Sequence, residues 1–576
     1  MEEILLVLNM AILLLLGGFC SIVFKRFNMP AVIGYLVSGI IIAAIGWNTL
    51  EVDEIVDFLS DIGLALMMFC IGMELNLTKL RKMGSFAILV VLIQVPIILV
   101  GGIVLGEMIL GLSSLQGLVF GAIISGSSTA VVTIVLAEQK SLSHSEVESL
   151  ILVTVVEDVV QVLILSAISP LMVGESMDID GIIWMLAMII TFMVVAVIVG
   201  IAVIPKFLDW LHKKMPAEIL LVIALGICFG LAYLSLLIGM SMAIGAFLAG
   251  VIVSQSSSTT TIEEHITPMK DVFMMMFFIS IGMEISVGGL VNNILTIVVI
   301  YLIYFGLKFG SVILAYFIGN KPMSLAYSSS IALVAMGEFA FIISKEALEG
   351  GIITNDFYTA IIGAALVSMI VLPIINKHND RVVEVIATKS PAVLQRAYHD
   401  LDVRRGMLYS RLSTISKNTQ KGFRTKLTNI YLILIIIVIL QVVFVLATPE
   451  ISNFVYDHTP QEFNRLLSTA LVMLMNFIAL MPLLYVVVNY LKYVMKVFLD
   501  ADRRSIAAGG NGMNPTLRRG MRYYIRRNSI FIAILFDALI LLLTPNNIEF
   551  IGRILVLVAG VVLVLFAMAY SYVRRS

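Results

Sequence analysis

Long apolar stretches follow one another through most of the chain, separated by short polar connections. They fall at about 4–24, 29–46, 55–75, 85–110, 115–137, 147–170, 181–205, 217–236, 238–255, 268–284, 290–318, 322–345 and 354–376. A stretch of roughly 20 apolar residues, coiled as a helix, matches the ~30 Å hydrocarbon core of a bilayer. Only helices and closed barrels satisfy their own backbone groups at that depth. The predicted fold is therefore an all-α polytopic membrane protein, with about thirteen helices up to residue 376. Composition agrees: 60% of the 576 residues are hydrophobic and 13% are charged, which excludes a soluble domain. A net charge of −1 gives no global field that would draw nucleic acid. The first stretch follows Glu2 and Glu3 and has no small-residue cleavage site after it, so it reads as a retained helix rather than a signal peptide.

The connections set an orientation. Lys25 and Arg26; Lys79, Arg81 and Lys82; Lys206, Lys213 and Lys214; and Lys321 fall in alternate loops. The loops between them carry Glu51, Asp53 and Glu54; Glu107; Glu175, Asp178 and Asp180; and Glu349 and Asp356, with no lysine or arginine. The positive-inside rule then places the N-terminus outside the cell membrane and residue 377 onward in the cytoplasm.

An internal repeat is also visible. Met29, Ile33, Gly34, Gly39 and Ile41 match Met240, Ile244, Gly245, Gly250 and Ile252. Ile71-Gly72-Met73-Glu74 recurs as Ile281-Gly282-Met283-Glu284. Under the orientation above the matched helices run in opposite directions. Two inverted halves, about 29–170 and 238–376, are a hallmark of secondary transporters, whose site lies near the bilayer midplane.

Glu157 and Asp158 stand side by side within VTVVEDVVQVLIL. A charge at bilayer depth costs roughly 2.5–3.5 kcal/mol on insertion scales, so an adjacent acid pair needs partners, water or protons. Structural acids satisfied by neighbouring helices are the plain alternative; an ion and proton site is the reading preferred here. Lys308, well inside the eleventh stretch, is either a snorkelling lysine or the cation that pairs with Glu157 or Asp158. The fifth and twelfth stretches hold polar breaks, Ser125-Gly126-Ser127-Ser128-Thr129 and Ser328-Ser329-Ser330 followed by Met336-Gly337-Glu338. Interrupted helices free backbone groups for ion coordination. Ser127, Ser128, Thr129, Ser330 and Glu338 are the supporting oxygen ligands expected there, and Asp158 with Glu157 the carboxylates that bind Na+ or K+.

Cys20, Cys70 and Cys228 are scattered through apolar stretches and read as small core residues. The six histidines fall in polar connections, which argues against an intramembrane histidine relay. There is no G-x-S-x-G-type nucleophile setting, so neither an enzyme nor a bound cofactor is expected.

The segments FNMPAVIGYLVSGI, IGLALMMFCIGMEL, ISGSSTAVVTIVL, AIGAFLAGVIVS, MMFFISIGMEI and GEFAFII, in that order, resemble the second monovalent cation:proton antiporter family, with its Kef-type potassium efflux systems and NapA-like sodium/proton antiporters. The resemblance covers residues 1 to about 378. It implies two crossing broken helices in a core domain, a separate dimerisation domain and elevator-like alternating access, hence a homodimer. Asp158 corresponds to the ion-carrying aspartate of the family. Glu157 sits where sodium-coupled members often have aspartate and Kef-type members glutamine. Lys308 falls near the lysine that pairs with the first acid in electrogenic members.

Kef-type proteins continue into a soluble nucleotide-binding domain. Here a basic connector, 379–426, is followed by about four more spans at 427–447, 466–490, 528–544 and 550–573. Ala507-Ala508-Gly509-Gly510-Asn511-Gly512 has no flanking strand and reads as a flexible loop, not a phosphate cradle. Arg503, Arg504, Arg518, Arg519, Arg522, Arg526 and Arg527 surround it in a basic cytoplasmic loop, 500–527, that would meet anionic lipid rather than nucleic acid. The expected function is exchange of a monovalent cation, sodium before potassium, for protons. A Kef-like potassium efflux system, or a gated potassium channel or sensor on the same scaffold, is the alternative; a channel needs repeated weak sites, whereas this chain concentrates its acids.

Overall fold

The computed structural model describes residues 2–27, 29–45, 50–74, 85–138, 142–168, 179–238, 240–319, 321–377, 464–507, 515–543 and scattered residues between 419 and 444. Among the described residues every regular element is a helix, as a chain must be that satisfies its backbone inside lipid. It divides into two compact units, Met1–Pro391 and Ala392–Ser576.

In the first unit α1 (Glu2–Arg26), α2 (Ala31–Ala44), α3 (Leu50–Glu74) and α4 (Ser85–Leu110) lead into two half-length helices, α5 (Ser114–Ile123) and α6 (Thr129–Glu138), and then α7 (His144–Ile168). After α8 (Ile179–Lys214) and α9 (Ala217–Leu237) the same succession returns. It runs through α10 (Met242–Val253), α11 (Thr259–Met283), the short α12 (Val287–Asn292), α13 (Ile294–Ile318), the half-length pair α14 (Met323–Ala332) and α15 (Glu338–Glu349), and α16 (Asn355–Lys377). Two helices run about nine residues past their apolar stretches. α11 starts at Thr259 rather than near 268, because Ile262 and Ile266 bury one face of a polar-looking turn. α8 runs on past Pro205 to Lys214, with Leu208 and Leu211 buried. His212 and His265 consequently lie on the exposed faces of helices, not in connections.

The glycines of the sequence repeat hold the centre of this unit together. A β-carbon on Gly39 would come within 2.8 Å of the Gly282 Cα, and one on Gly250 within 2.9 Å of the Gly72 Cα. α2 therefore lies backbone to backbone on α11, and α3 on α10, at a separation that only small residues allow. α1, α2, α3, α9, α10 and α11 pack into one group, with α8 against α10. α4 to α7 pack with α13 to α16 into another, and the two meet along α7, which touches α3 and α10.

In the second unit α17 (Asn464–Ala507) and α19 (Ser529–Leu543) pack side by side, with α18 (Pro515–Arg526) between them in sequence. Leu480, Leu484 and Val488 meet Ile437, Ile532 and Ala533. Asn476 and Gln441 exchange side-chain amide hydrogen bonds at 2.8 and 3.2 Å. The expected basic loop 500–527 is mostly helix: α17 extends to Ala507, and Pro515 opens α18 at the position where its missing N–H costs nothing. Asp502, sealed in this region, takes the Arg518 guanidinium. The predicted span 550–573, most of 379–426 and the glycine-rich turn lie outside the described residues, and 427–447 is described only in part.

Candidate functional site

The two pairs of half-helices cross at their breaks. Ser127 and Met336 face each other as an isolated antiparallel bridge, and the Ser128 amide donates to the Ala335 carbonyl at 2.9 Å. The close approach needs glycine: a β-carbon on Gly337 would meet the Ser127 carbonyl oxygen at 2.9 Å. Each break frees backbone groups that lipid cannot satisfy, and specific side chains take them up. Ser127 Oγ donates to the Leu333 carbonyl at 2.9 Å. The Met336 amide donates to Ser368 Oγ at 2.9 Å. Gln161 Nε2 donates to Ser125 Oγ at 3.0 Å and to the Ala122 carbonyl at 3.4 Å.

Glu157, on α7, closes this crossing electrostatically. Its Oε2 accepts from the Ser127 amide at 2.7 Å and from Lys308 Nζ at 3.0 Å, and its Oε1 accepts from Gln94 Nε2. Lys308 also donates to the Ser125 carbonyl at 3.2 Å, the free end of the α5 half-helix, where a cation complements the dipole. Glu157 and Lys308 are both 0% exposed. Of the two partners left open for Lys308, the structure selects Glu157. A buried ion pair offsets its desolvation only with good geometry and further hydrogen bonds, and both partners have them.

Asp158 is in a different setting although it is the next residue. It accepts from Thr129 Oγ1 at 3.0 Å and is partly exposed. Thr129 is the first residue of α6, so Asp158 faces the positive end of a half-helix. Glu338, also partly exposed, is likewise the first residue of α15. Each half-helix begins two residues after the bridge residues Ser127 and Met336.

Of the predicted residues, Glu157, Lys308 and Ser127 form one bonded cluster, and Asp158 and Thr129 a second beside it. Ser128 supplies its amide to the crossing and its hydroxyl to the Val131 amide at 3.3 Å. Ser330 is a correction. It lies inside α14, its hydroxyl turned back onto the Ala326 carbonyl at 2.6 Å, a local bond that serine makes without breaking a helix. The second break falls at Leu333–Gly337, so of the two segments expected there Met336-Gly337 lies in it and the three serines do not. Sequence reasoning missed Gln94, Gln161, Tyr304 and Ser368. Gln161 had a signal: it is four residues from Glu157, on the same helix face. Gln94 is the one polar side chain between Phe86 and Gly106 of its helix. Tyr304, one turn before Lys308, reaches the Leu333 carbonyl at 3.4 Å.

A helical membrane domain built on two crossing interrupted helices, with a lysine–carboxylate pair at the crossing and a second carboxylate open beside it, belongs among ion-coupled membrane transporters. Residues 11–378 match the sodium/hydrogen exchanger transmembrane family, and the chain belongs to that family. It is 28% identical over 380 residues to K(+) efflux antiporter 5 of Arabidopsis thaliana, covering 65% of this chain and 66% of that protein. It is also 28% identical to the Na(+)/H(+)-K(+) antiporter GerN of Bacillus cereus, over 60% of this chain and 89% of GerN. The same identity relates it to a Na(+)/H(+) antiporter of Enterococcus hirae, over 62% of this chain and 92% of that one. The fold is that of the sodium proton antiporter MjNhaP1 from Methanocaldococcus jannaschii, with a TM-score of 0.53 at 16% identity, covering 67% of this chain and 99% of that one.

Proposed function

We propose that the chain is a secondary antiporter that exchanges a monovalent cation for protons, sodium in preference to potassium, and not an enzyme. The observation that carries this reading is the division of labour between two neighbouring acids. Glu157 already accepts from Lys308, the Ser127 amide and Gln94. Asp158 has a hydroxyl beside it and an open side. A carboxylate in that position holds either a proton or a hard monovalent cation, with Thr129 as a further oxygen ligand. Occupancy by one expels the other, which couples the two flows.

In this reading Asp158 carries the exchanged ion, and Lys308 is the second proton carrier. Cation binding at Asp158 draws Glu157 away from Lys308, and an ammonium left without its partner in low dielectric sheds its proton. Two protons then exchange for one cation, and the cycle is electrogenic. Access alternates as the α4–α7 and α13–α16 group moves against the group of α2, α3, α10 and α11. The protein sits in the plasma membrane as a homodimer, N-terminus outside, with its arginine-rich segments against anionic lipid. No cofactor takes part. The second reading is potassium as the physiological cation, favoured by the names of the Arabidopsis and Bacillus relatives.

The test is proton release in proteoliposomes on adding sodium, lithium or potassium in turn, for the wild type and Asp158→Asn. The amide keeps the shape but cannot hold and release a proton, so exchange should vanish while the protein still inserts and folds. Wild-type proton release from the folded variant would remove Asp158 from the mechanism.

A further inference from the structure

A second polar cluster lies apart from the Glu157–Lys308 centre. Lys345, on α15, places Nζ 3.1 Å from Glu284 and 3.8 Å from Asp57, with its side chain 15% exposed. Ser280 lies 3.5 Å from the same Nζ and donates to Asp57 at 2.8 Å. Tyr358, fully buried on α16, donates to the other oxygen of Glu284 at 2.7 Å. One residue beyond Lys345, Glu346 accepts from Ser241, which caps α10.

What these bonds join matters more than their number. Asp57 is on α3, Ser280 on α11, Glu284 caps the end of α11, and Ser241 caps the start of α10. Lys345 and Glu346 are on α15 and Tyr358 is on α16. The ion pairs and the Tyr358 and Ser241 bonds therefore cross from one helix group to the other, all at one end of the bundle. Apolar contacts between such groups can slide. Hydrogen bonds and close ion pairs are directional and lose their strength once the partners shift, so relative movement of the groups must break them.

Lys345 itself has no equivalent on the paired half-helix. Glu284 closes Ile281-Gly282-Met283-Glu284, and its repeat counterpart Glu74 closes Ile71-Gly72-Met73-Glu74 at the end of α3. The half-helix that corresponds to α15 is α6, with the sequence TAVVTIVLAE, and it contains no lysine or arginine. Nothing in α6 can repeat the Lys345 contact at the opposite end.

We propose that Lys345, with Tyr358 and Glu346, is a latch that closes the non-cytoplasmic end of the transporter and biases it toward the cytoplasm-open state. Its direction rests on the antiport reading and orientation given above; the bonding between the two groups does not. A latch must open once in every cycle, whereas a structural staple never opens. The two roles are separated by kinetics together with a measurement that needs no transport.

The experiment uses the full chain, comparing wild type, Lys345→Met, Glu284→Lys, and the charge swap that combines Lys345→Glu with Glu284→Lys. Hydrogen–deuterium exchange in detergent or nanodiscs should show faster uptake around residues 280–292 and 345–358 in both single variants. In proteoliposomes their apparent KM for cytoplasmic cation should rise about fivefold as the cytoplasm-open fraction falls, with kcat kept or raised. The charge swap restores the pair between residues 345 and 284 but leaves Asp57 facing a carboxylate, so it should recover both readings in part relative to Glu284→Lys. Unchanged deuterium uptake in Lys345→Met would overturn the latch. So would faster uptake with unaltered KM and kcat, which is the behaviour of a staple. If the wild-type chain exchanged no cation, the antiport reading would fail, and deuterium uptake alone would still decide whether Lys345 ties the groups together.

Discussion

Lys308→Gln separates the two accounts of how charge moves through this protein. If Asp158 alone titrates, one proton leaves for each cation bound and voltage has no purchase on the cycle. If Lys308 also gives up its proton, one net charge crosses per turnover, and a membrane potential is worth about 2.3 kcal/mol per charge per 100 mV. That energy corresponds to a ~50-fold shift in the cation gradient at steady state for each 100 mV. The structure makes glutamine a fair probe. Its amide can still donate to Glu157 Oε2 and to the Ser125 carbonyl, the two acceptors Lys308 now uses. The loss should therefore stay below the ~3–5 kcal/mol that follows when a buried charge is stranded without any partner. The assay is cation uptake into liposomes at a series of imposed diffusion potentials and fixed pH gradient. Wild-type accumulation should rise with the potential by the factor above, and Lys308→Gln should be insensitive to it or inactive. Voltage-independent exchange by the wild type would refute the second proton and leave Lys308 a purely structural partner of Glu157.

Three further outcomes test the surroundings. Gln94→Leu removes the donor to Glu157 Oε1 at a fully buried position; a buried acceptor left unmade costs about 1–3 kcal/mol, which thermal unfolding in detergent should register, and Gln94→Asn should recover less than half. A chain ending at Pro391 should retain cation-driven proton release, because both half-helix pairs and Lys308 lie in the first compact unit; a folded but wholly inactive product would make the second unit part of the transport machinery. Asp537, 0% exposed on α19 with neither carboxyl oxygen hydrogen-bonded among the described residues, should be replaceable by leucine with a gain of about 1–3 kcal/mol in the stability of the second unit; a lowered melting transition would show that its carboxyl group supports that unit.

The helical architecture was legible because lipid imposes it. Apolar length fixes spans, and the recurrent Ile-Gly-Met-Glu block marks where close-packed glycines meet across the repeat. Helix ends were less legible where amphipathic turns look polar in sequence: the turn containing Ile262 and Ile266 reads as a loop until its buried face is seen. The arginine-rich segment failed the same way, since charge alone does not distinguish the helix Pro515–Arg526 from a solvated loop. The second break was located only in part, Met336-Gly337 lying in it and the serines named with them lying outside it. Three consecutive serines look like an interruption, yet Ser330 satisfies its hydroxyl on its own helix, and the interruption falls where Gly337 permits backbone to meet backbone.

The acids at the centre show what no one-dimensional reading supplies. Glu157 and Asp158 are chemically near-equivalent and adjacent, so sequence can say that both need partners but not which receives them. Successive residues on a helix point about 100° apart, and that angle decides the matter. Glu157 is turned toward the crossing, where Lys308, the Ser127 amide and Gln94 take both of its oxygens. Asp158 is turned away from them, toward Thr129 at the start of a half-helix and an open side. Exchanging the two residue types tests whether position or chain length assigns the roles. In Glu157→Asp/Asp158→Glu the shorter acid must reach Lys308 across one missing methylene, and the 3.0 Å pair should lengthen. Position then still selects residue 158 as the ion carrier, now with a longer side chain. Exchange should survive at a reduced rate with altered cation preference, and Asp158→Gln made in the same Glu157→Asp background should abolish it. Persisting activity in that last variant would place the exchanged ion on residue 157 and reverse the assignment.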